Sequence, residues 1–145
     1  MTTDSESAPE TAGRTIRWWA GWYDAASWLM SFGQAGAIKR KTIEIAAPAA
    51  GEKVLDVGCG TGALTFEARA TAPTVQIHGI DASPEMIDVA QGKAAKKGVD
   101  VAFKVAPIEG LPFPEARFDL VVSSFMLHHL PDDLKRKGFA EIHRV

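Results

Sequence analysis

An α/β architecture, a parallel sheet with helices on both faces, is predicted by three observations in this sequence. Short apolar runs alternate with longer amphipathic ones from Lys53 to His143. The first short run ends in a glycine-rich turn, Gly58-Cys-Gly-Thr-Gly62, and the second ends on an acidic residue, Asp81. Strands that alternate with helices form right-handed βαβ units, so the strands lie parallel. In such open sheets the loops beyond the carboxyl ends of the strands are where ligands bind.

The elements follow in order. Residues 1–13 are rich in Ser, Thr, Glu and Ala. They carry too little apolar surface to offset the entropy of ordering, and a disordered tail is expected. Residues 16–47 have a helical pattern: Trp18, Trp22, Ala25, Leu29 and Phe32 recur at 4-3-4-3 spacing, which is one helical face. Gly33 and Gly36 are placed to break this stretch into two helices. All four tryptophans fall within the eleven residues 18–28. Pro48 and Gly51 then mark a loop. Residues 53–57 form the first strand, 62–71 a helix, 75–80 the second strand and 84–97 a helix. Ser83 caps that helix, Pro84 suits its first position and Gly98 is placed to end it. Residues 101–105 form a third strand, 106–116 an irregular stretch with three prolines, 118–123 a fourth strand and 131–143 a helix. The expected organisation is a tail (1–13), an N-terminal helical lid or cap (14–50) and the main domain (51–145).

Composition bounds the partners. The chain has 145 residues, with 16 Lys and Arg against 18 Asp and Glu, a net charge of −2. That balance, with no block of like charge, argues against nucleic acid as a partner. At 46% apolar and 23% charged, the sequence is ordinary for a globular protein of one domain. No uncharged apolar run approaches about 18 residues, so no integral membrane segment is expected. Cys59 is the only cysteine, which suits a reducing, cytoplasmic setting. No Cys/His cluster has zinc spacing, and no metal site is expected.

The most informative segment is Val54-Leu-Asp-Val-Gly-Cys-Gly-Thr-Gly62. Glycines serve where backbone takes positive φ or meets a ligand closely. Asp81 follows Gly60 by 21 residues and can accept both ribose hydroxyls of a nucleoside. Gly58-x-Gly60-x-x-Ala63 also fits the dinucleotide fingerprint, and Asp81 its ribose position, so NAD is one candidate. Asp56 favours another. A carboxylate at the end of the first strand suits a cationic ligand better than a pyrophosphate. S-adenosylmethionine offers an ammonium and a sulfonium, while the helix after the loop can donate N–H groups to its carboxylate. A glycine turn with no ligand is the third option.

The segments VLDVGCGTG, GIDASPEMI, EGLPFPEARFDLVVSSFMLHHL and AEIHRV together resemble the Rossmann-like class I S-adenosylmethionine-dependent methyltransferases. The likeness is greatest to the ubiquinone/menaquinone C-methyltransferase-like (methyltransferase type 11) group, and runs from about Trp18 to Val145. It implies that Asp56, Gly58, Gly60 and Thr61 surround the methionine moiety and that Asp81 holds the ribose. Ala82 and Met86 would line the adenine, and Ser124 would face the cofactor. Many relatives carry Asp or Asn four residues before the Leu-Pro-Phe motif, where Pro107 stands here. Proline offers no polar side chain and no N–H. Adenine recognition is therefore expected to be apolar and backbone-mediated, through Pro107 and the N–H of Ile108, with Glu109 as a substitute acceptor.

The implied reaction is S-adenosylmethionine-dependent methyl transfer to a small, apolar acceptor, which includes lipid-soluble molecules. The alternatives are a truncated cofactor-binding module with little or no activity and an NAD-dependent oxidoreductase. A sulfonium is a good leaving group, so catalysis can rest on positioning, with a base needed only if the acceptor loses a proton. His128 is the candidate base; it and His129 could equally shape the turn before Pro131. The tryptophan-rich segment, with Tyr23, either packs on the sheet or also lids an apolar pocket. Cys59 reads as a small filler beside the cofactor. Lys39, Arg40 and Lys41 read as a solvated helix face.

The resemblance also sets an expectation about extent. The fold has seven strands in the order 3-2-1-4-5-7-6, the seventh antiparallel. Strands one to four and the helix after them are accounted for, so the C-terminal strands, roughly 70–100 residues at about 30 per βαβ unit, are expected to be missing. Residues 118–123 read as a central strand, with the apolar Leu120, Val121 and Val122 on both faces and neither lysine nor proline. An exposed fourth strand would then favour self-association.

Overall fold

The computed structural model describes residues 35–124, 127 and 130–145. Eight elements follow in chain order: α1 (Ala35–Ala46), β1 (Lys53–Val57), α2 (Ala63–Thr71), β2 (Gln76–Asp81), α3 (Pro84–Lys97), β3 (Ala102–Val105), β4 (Leu120–Val122) and α4 (Asp132–Arg144). The four strands make one parallel sheet in the order β3-β2-β1-β4. The chain steps outward from β1 to β3, then returns to the other side of β1 for β4. The carboxyl ends of β1 and β4 therefore flank a point where the winding reverses.

Burial explains why the strands read as apolar runs. Val54, Leu55 and Val57 of β1 are all at most 1% exposed, because helices cover both faces. On one face Ile43 of α1 and Leu64 and Ala68 of α2 pack with Val54, Ile77 and Val122. Ile87, Ala90 and Ala94 of α3 join Phe103 and Cys59. The other face buries Leu55, Val57 and Ile80 against Ala106, Ile108, Leu111 and Val145, the residue that follows α4. Among the described residues no helix is long and apolar enough to cross a membrane.

The boundaries shift where hydrogen bonds compete with the ladder. β2 begins at Gln76 because the N–H of Val75 is taken by Ala72 in a turn, and it extends to Asp81, which pairs with Val105. β4 is shorter than the strand predicted over 118–123. Phe118 donates to the carbonyl of Val145, and Asp119 exchanges bonds with Lys53 through both its backbone N–H and its side chain. At the other end the Ser123 hydroxyl donates to the Val57 carbonyl at 2.8 Å. α3 has the expected ends: Ser83 Oγ accepts from the Met86 N–H, Pro84 opens the helix and Gly98 closes it in the left-handed conformation. Gly36 lies in the first turn of α1 rather than ahead of it. The tail, Tyr23, the tryptophan-rich stretch and the break at Gly33 lie outside the described residues.

Candidate functional site

The glycine turn is built by alternation of backbone hand. Gly58, Gly60 and Gly62 all have positive φ, at 70°, 54° and 84°. Gly62 is the N-cap of α2, so the chain passes from β1 into the helix within five residues. The first turn of α2, with its free N–H groups and positive dipole end, thus faces the carboxyl end of the sheet. Cys59 is buried in this turn, and its thiol is pushed far up by burial and by the charges of Asp56 and Asp81. It is inert filler, packed where a Cβ on Gly79 would stand 3.1 Å from its sulfur.

Two carboxylates anchor the turn. Asp56 is 1% exposed, on the last turn of the β1 pleat before the glycines. Its Oδ2 accepts from Thr65 Oγ1 at 2.6 Å, while its Oδ1 is buried without a hydrogen-bond partner. Burial raises its pKa to about 7, with the Thr65 hydrogen bond pulling down and the Asp81 charge adding to the rise. Asp81 accepts from the N–H of Gly60 at 2.9 Å through Oδ2 and from the N–H of Ser83 at 2.9 Å through Oδ1. Its pKa is also raised by burial, against those backbone bonds. Asp81 therefore ties the glycine turn to the end of β2 and retains acceptor capacity on both oxygens.

The other expected residues surround this pair unevenly. Thr61 is 2% exposed, and its hydroxyl accepts from Lys93 Nζ of α3 at 3.0 Å. Ala82 is half-buried and Met86 buried, in the turn and first turn of α3. Pro107 and Ile108 follow β3, held beside Asp81 by the bond from the Ala106 N–H to the Asp81 carbonyl at 2.9 Å. The Gly110 N–H closes a turn onto the Pro107 carbonyl at 3.3 Å, which leaves the Ile108 N–H outside the turn's own bond. Ser124 is half-buried just past β4. The structure thus gathers Asp56, Gly58, Gly60, Thr61, Asp81, Ala82, Met86, Pro107, Ile108 and Ser124 at the carboxyl end of the sheet. His128 and His129 lie outside the described residues.

Three residues escaped the sequence reading. Thr65 donates its hydroxyl to Asp56, and it falls on the buried face of α2 with Leu64 and Ala68. A polar residue on the apolar stripe of the helix after a glycine turn was the available signal. Lys39 is half-buried, and its charge lowers the Asp56 pKa. It is not part of a solvated face, unlike Arg40 and Lys41, whose partners Glu67 and Glu44 are surface groups. Its placement follows from spacing: Ile43 packs on Val54, and one helical turn back corresponds to two strand residues on. Ser123, the neighbour of Ser124, donates its hydroxyl back to the Val57 carbonyl of β1.

Known proteins share this fold and sequence pattern. Residues 54–145 match a family model described as a methyltransferase domain. The chain is 33% identical over 123 residues to a demethylmenaquinone methyltransferase of Thermus thermophilus, covering 85% of this chain and 55% of that protein. It is 39% identical over 95 residues to an aklanonic acid methyltransferase of a Streptomyces species, covering 64% and 43%. A solved structure of YcgJ protein from Bacillus subtilis superposes with a TM-score of 0.66 at 37% identity, covering 74% of this chain and 44% of that one. The chain spans about half the length of the curated relatives it matches.

Proposed function

The chain belongs to the methyltransferase domain family, whose cofactor is S-adenosylmethionine, and from that premise we propose that it holds this cofactor at the glycine turn for methyl transfer to a small, apolar acceptor. The observation that carries the proposal is the orphaned Oδ1 of Asp56. A buried carboxylate oxygen with no partner is costly unless a cation or donor meets it. The fit with a ligand carrying an ammonium and a sulfonium follows from that unpartnered oxygen. A pyrophosphate at the turn would meet the Asp56 carboxylate, which argues against NAD; Asp81 suits the ribose of either ligand.

The residues take the roles their positions allow. Asp56 attracts the cationic end, and Lys39 and the first turn of α2 supply positive potential for a carboxylate beside it. Gly58, Gly60 and Thr61 give close backbone approach. Asp81 accepts from the ribose hydroxyls, while Ala82, Met86, Pro107 and the Ile108 N–H line the base, and Ser124 closes the β4 side. S-adenosylmethionine contributes an activated methyl group on a sulfonium. The chain's own part is to bind, orient and exclude water. His128 is the proposed base where the acceptor must lose a proton.

Quinone-type rings are the acceptor class we favour, supported by the demethylmenaquinone relative. We assign residues 14–50 as an N-terminal helical cap, 1–13 as a tail and 51–145 as the cofactor-binding part. The single cysteine supports a reducing, cytoplasmic setting. Self-association through β4, which among the described strands pairs only with β1, is part of the same proposal; gel filtration showing a monomer would sink that part.

Calorimetric titration separates the readings. S-adenosylmethionine should bind and NAD should not. Asp81→Ala should weaken binding roughly 30-fold, about 2 kcal/mol, since it removes the ribose acceptor and frees the Gly60 N–H. Binding that survives Asp81→Ala unchanged contradicts the ribose assignment. Binding without methylation of any quinol in a panel favours a cofactor-binding module instead.

A further inference from the structure

The segment between β3 and β4 is gripped by α4 at several points. The Leu111 N–H donates to Glu141 Oε2 at 2.8 Å. Arg144 donates to the carbonyl of Leu111 at 2.9 Å and to that of Phe113 at 2.8 Å, and its guanidinium meets Glu141 at 2.7 Å. The backbone at the end of α4 completes the grip: the Ala116 N–H donates to the Arg144 carbonyl and the Phe118 N–H to that of Val145. One turn earlier, Gly138 is buried, and a Cβ there would stand 2.7 Å from Ile108 Cδ1 and 2.8 Å from its Cγ1. The near end of the segment is tied to Asp81 through the Ala106 N–H. Residues 106–108 are thus stretched between the site's ribose acid and α4.

We infer that Glu141, Arg144 and Gly138 are positioning residues for the purine wall: they act through Leu111 and Ile108 to set where the Ile108 N–H meets the base. This rests on the reading given under Proposed function, in which residues 107 and 108 line the adenine. The pattern of contacts is more specific than loop anchoring requires. Arg144 satisfies two carbonyls two residues apart, and Glu141 accepts the Leu111 N–H at the start of the same stretch, so the path of 111–113 is fixed in direction as well as in place. The absent side chain at Gly138 fixes its depth, because any Cβ would displace Ile108 away from the helix. Glu141 is ionised well into the acid range, held there first by the Arg144 hydrogen bond, so the grip persists at neutral pH.

The test uses the full chain and two nucleosides that differ only at the base edge, S-adenosylhomocysteine and S-inosylhomocysteine. Adenine presents an acceptor at N1 and hypoxanthine an N–H, so a backbone N–H at Ile108 prefers the adenosyl compound. Isothermal titration of wild type should show that preference. Glu141→Ala and Gly138→Ala should each lower affinity for the adenosyl compound about tenfold and shrink the preference. Glu141→Gln, which keeps an acceptor for Leu111, should restore most of both. Alanine variants that bind as wild type, or that lose both ligands equally with the preference intact, overturn the inference, as does a Glu141→Gln variant no better than Glu141→Ala. Should Glu141→Ala unfold, Gly138→Ala and Glu141→Gln decide it alone. A wild-type chain that binds neither nucleoside overturns the preceding reading, and this inference with it.

Discussion

Asp56 at the end of β1 and Glu141 near the end of α4 are both acids with a single close side-chain donor, yet the protein treats them oppositely. Asp56 is buried, its neutral donors all come from Thr65, and burial holds its pKa up near 7. Glu141 is partly exposed, meets a guanidinium and a backbone N–H, and its pKa is lowered. The first acid is unsatisfied in the protein alone and the second is satisfied. Binding chemistry is placed where the fold is under electrostatic strain, and scaffold chemistry where it is not.

The difference can be broken most forcefully at Asp56. Asp56→Asn keeps the shape and removes the charge. Affinity for S-adenosylmethionine should fall roughly 100-fold, about 3 kcal/mol. Thermal stability of the free protein at pH 8 should hold or rise, because an uncompensated buried charge is gone. A lower melting temperature with undiminished affinity would reverse the assignment.

Gly79→Ala attacks the packing beneath the turn instead. Its Cβ would stand 2.7 Å from the Phe103 ring and 3.1 Å from Cys59 Sγ. A loss of about 1–3 kcal/mol is expected in denaturant unfolding, from overpacking alone. Affinity should then fall through the displaced turn. An unchanged midpoint would mean the ring moves freely.

The pH dependence of stability sharpens the same contrast, because the two acids have opposite signs. The folded state binds more protons at Asp56 than the unfolded state, so its share of stability is present below the unfolded pKa near 3.8. That share is lost as pH rises toward about 7. Asp81 shares this direction. Glu141 is the reverse: its share is present above the ordinary carboxylate value and lost as pH falls below it. Melting curves of Asp56→Asn should therefore be flatter between pH 4 and 7 than wild type. Those of Glu141→Gln should be flatter below pH 5, with a melting temperature at pH 7 lower by roughly 2–4 °C. Parallel curves for both variants would remove the contrast.

The smallest effect belongs to Lys41→Ala. Lys41 and Glu44 pair at 3.1 Å with both side chains at least half exposed, which is worth about 0.5 kcal/mol or less. Chemical denaturation should scarcely register it.

Much of this was legible in the chain itself. The glycine turn declares its place because backbone demands of that kind admit few residues, and the capped helix α3 declares itself through Ser83, Pro84 and Gly98. The alternation of runs gives the parallel order. The partners of the acids were not legible in the same way. Thr65 and Lys39 reach Asp56 across elements, and Arg144 reaches the Leu111 and Phe113 carbonyls from α4, so these roles depend on how the elements dock. Sequence spacing alone leaves that open: Lys39, Arg40 and Lys41 look equivalent until α1 is docked, and only one of them turns toward Asp56. The length of β4 was likewise set by partners far along the chain, Lys53 and Val145.

The central claim is that Asp56, in its ionised form, is what receives a cationic cofactor at the glycine turn. Its most direct test is titration of the full chain with S-adenosylmethionine at pH 6 and pH 8. A carboxylate with a pKa of about 7 is mostly protonated at the lower value and mostly ionised at the higher one. Binding should be tighter at pH 8 by roughly tenfold. No binding at either pH, or binding equal or tighter at pH 6, would contradict it.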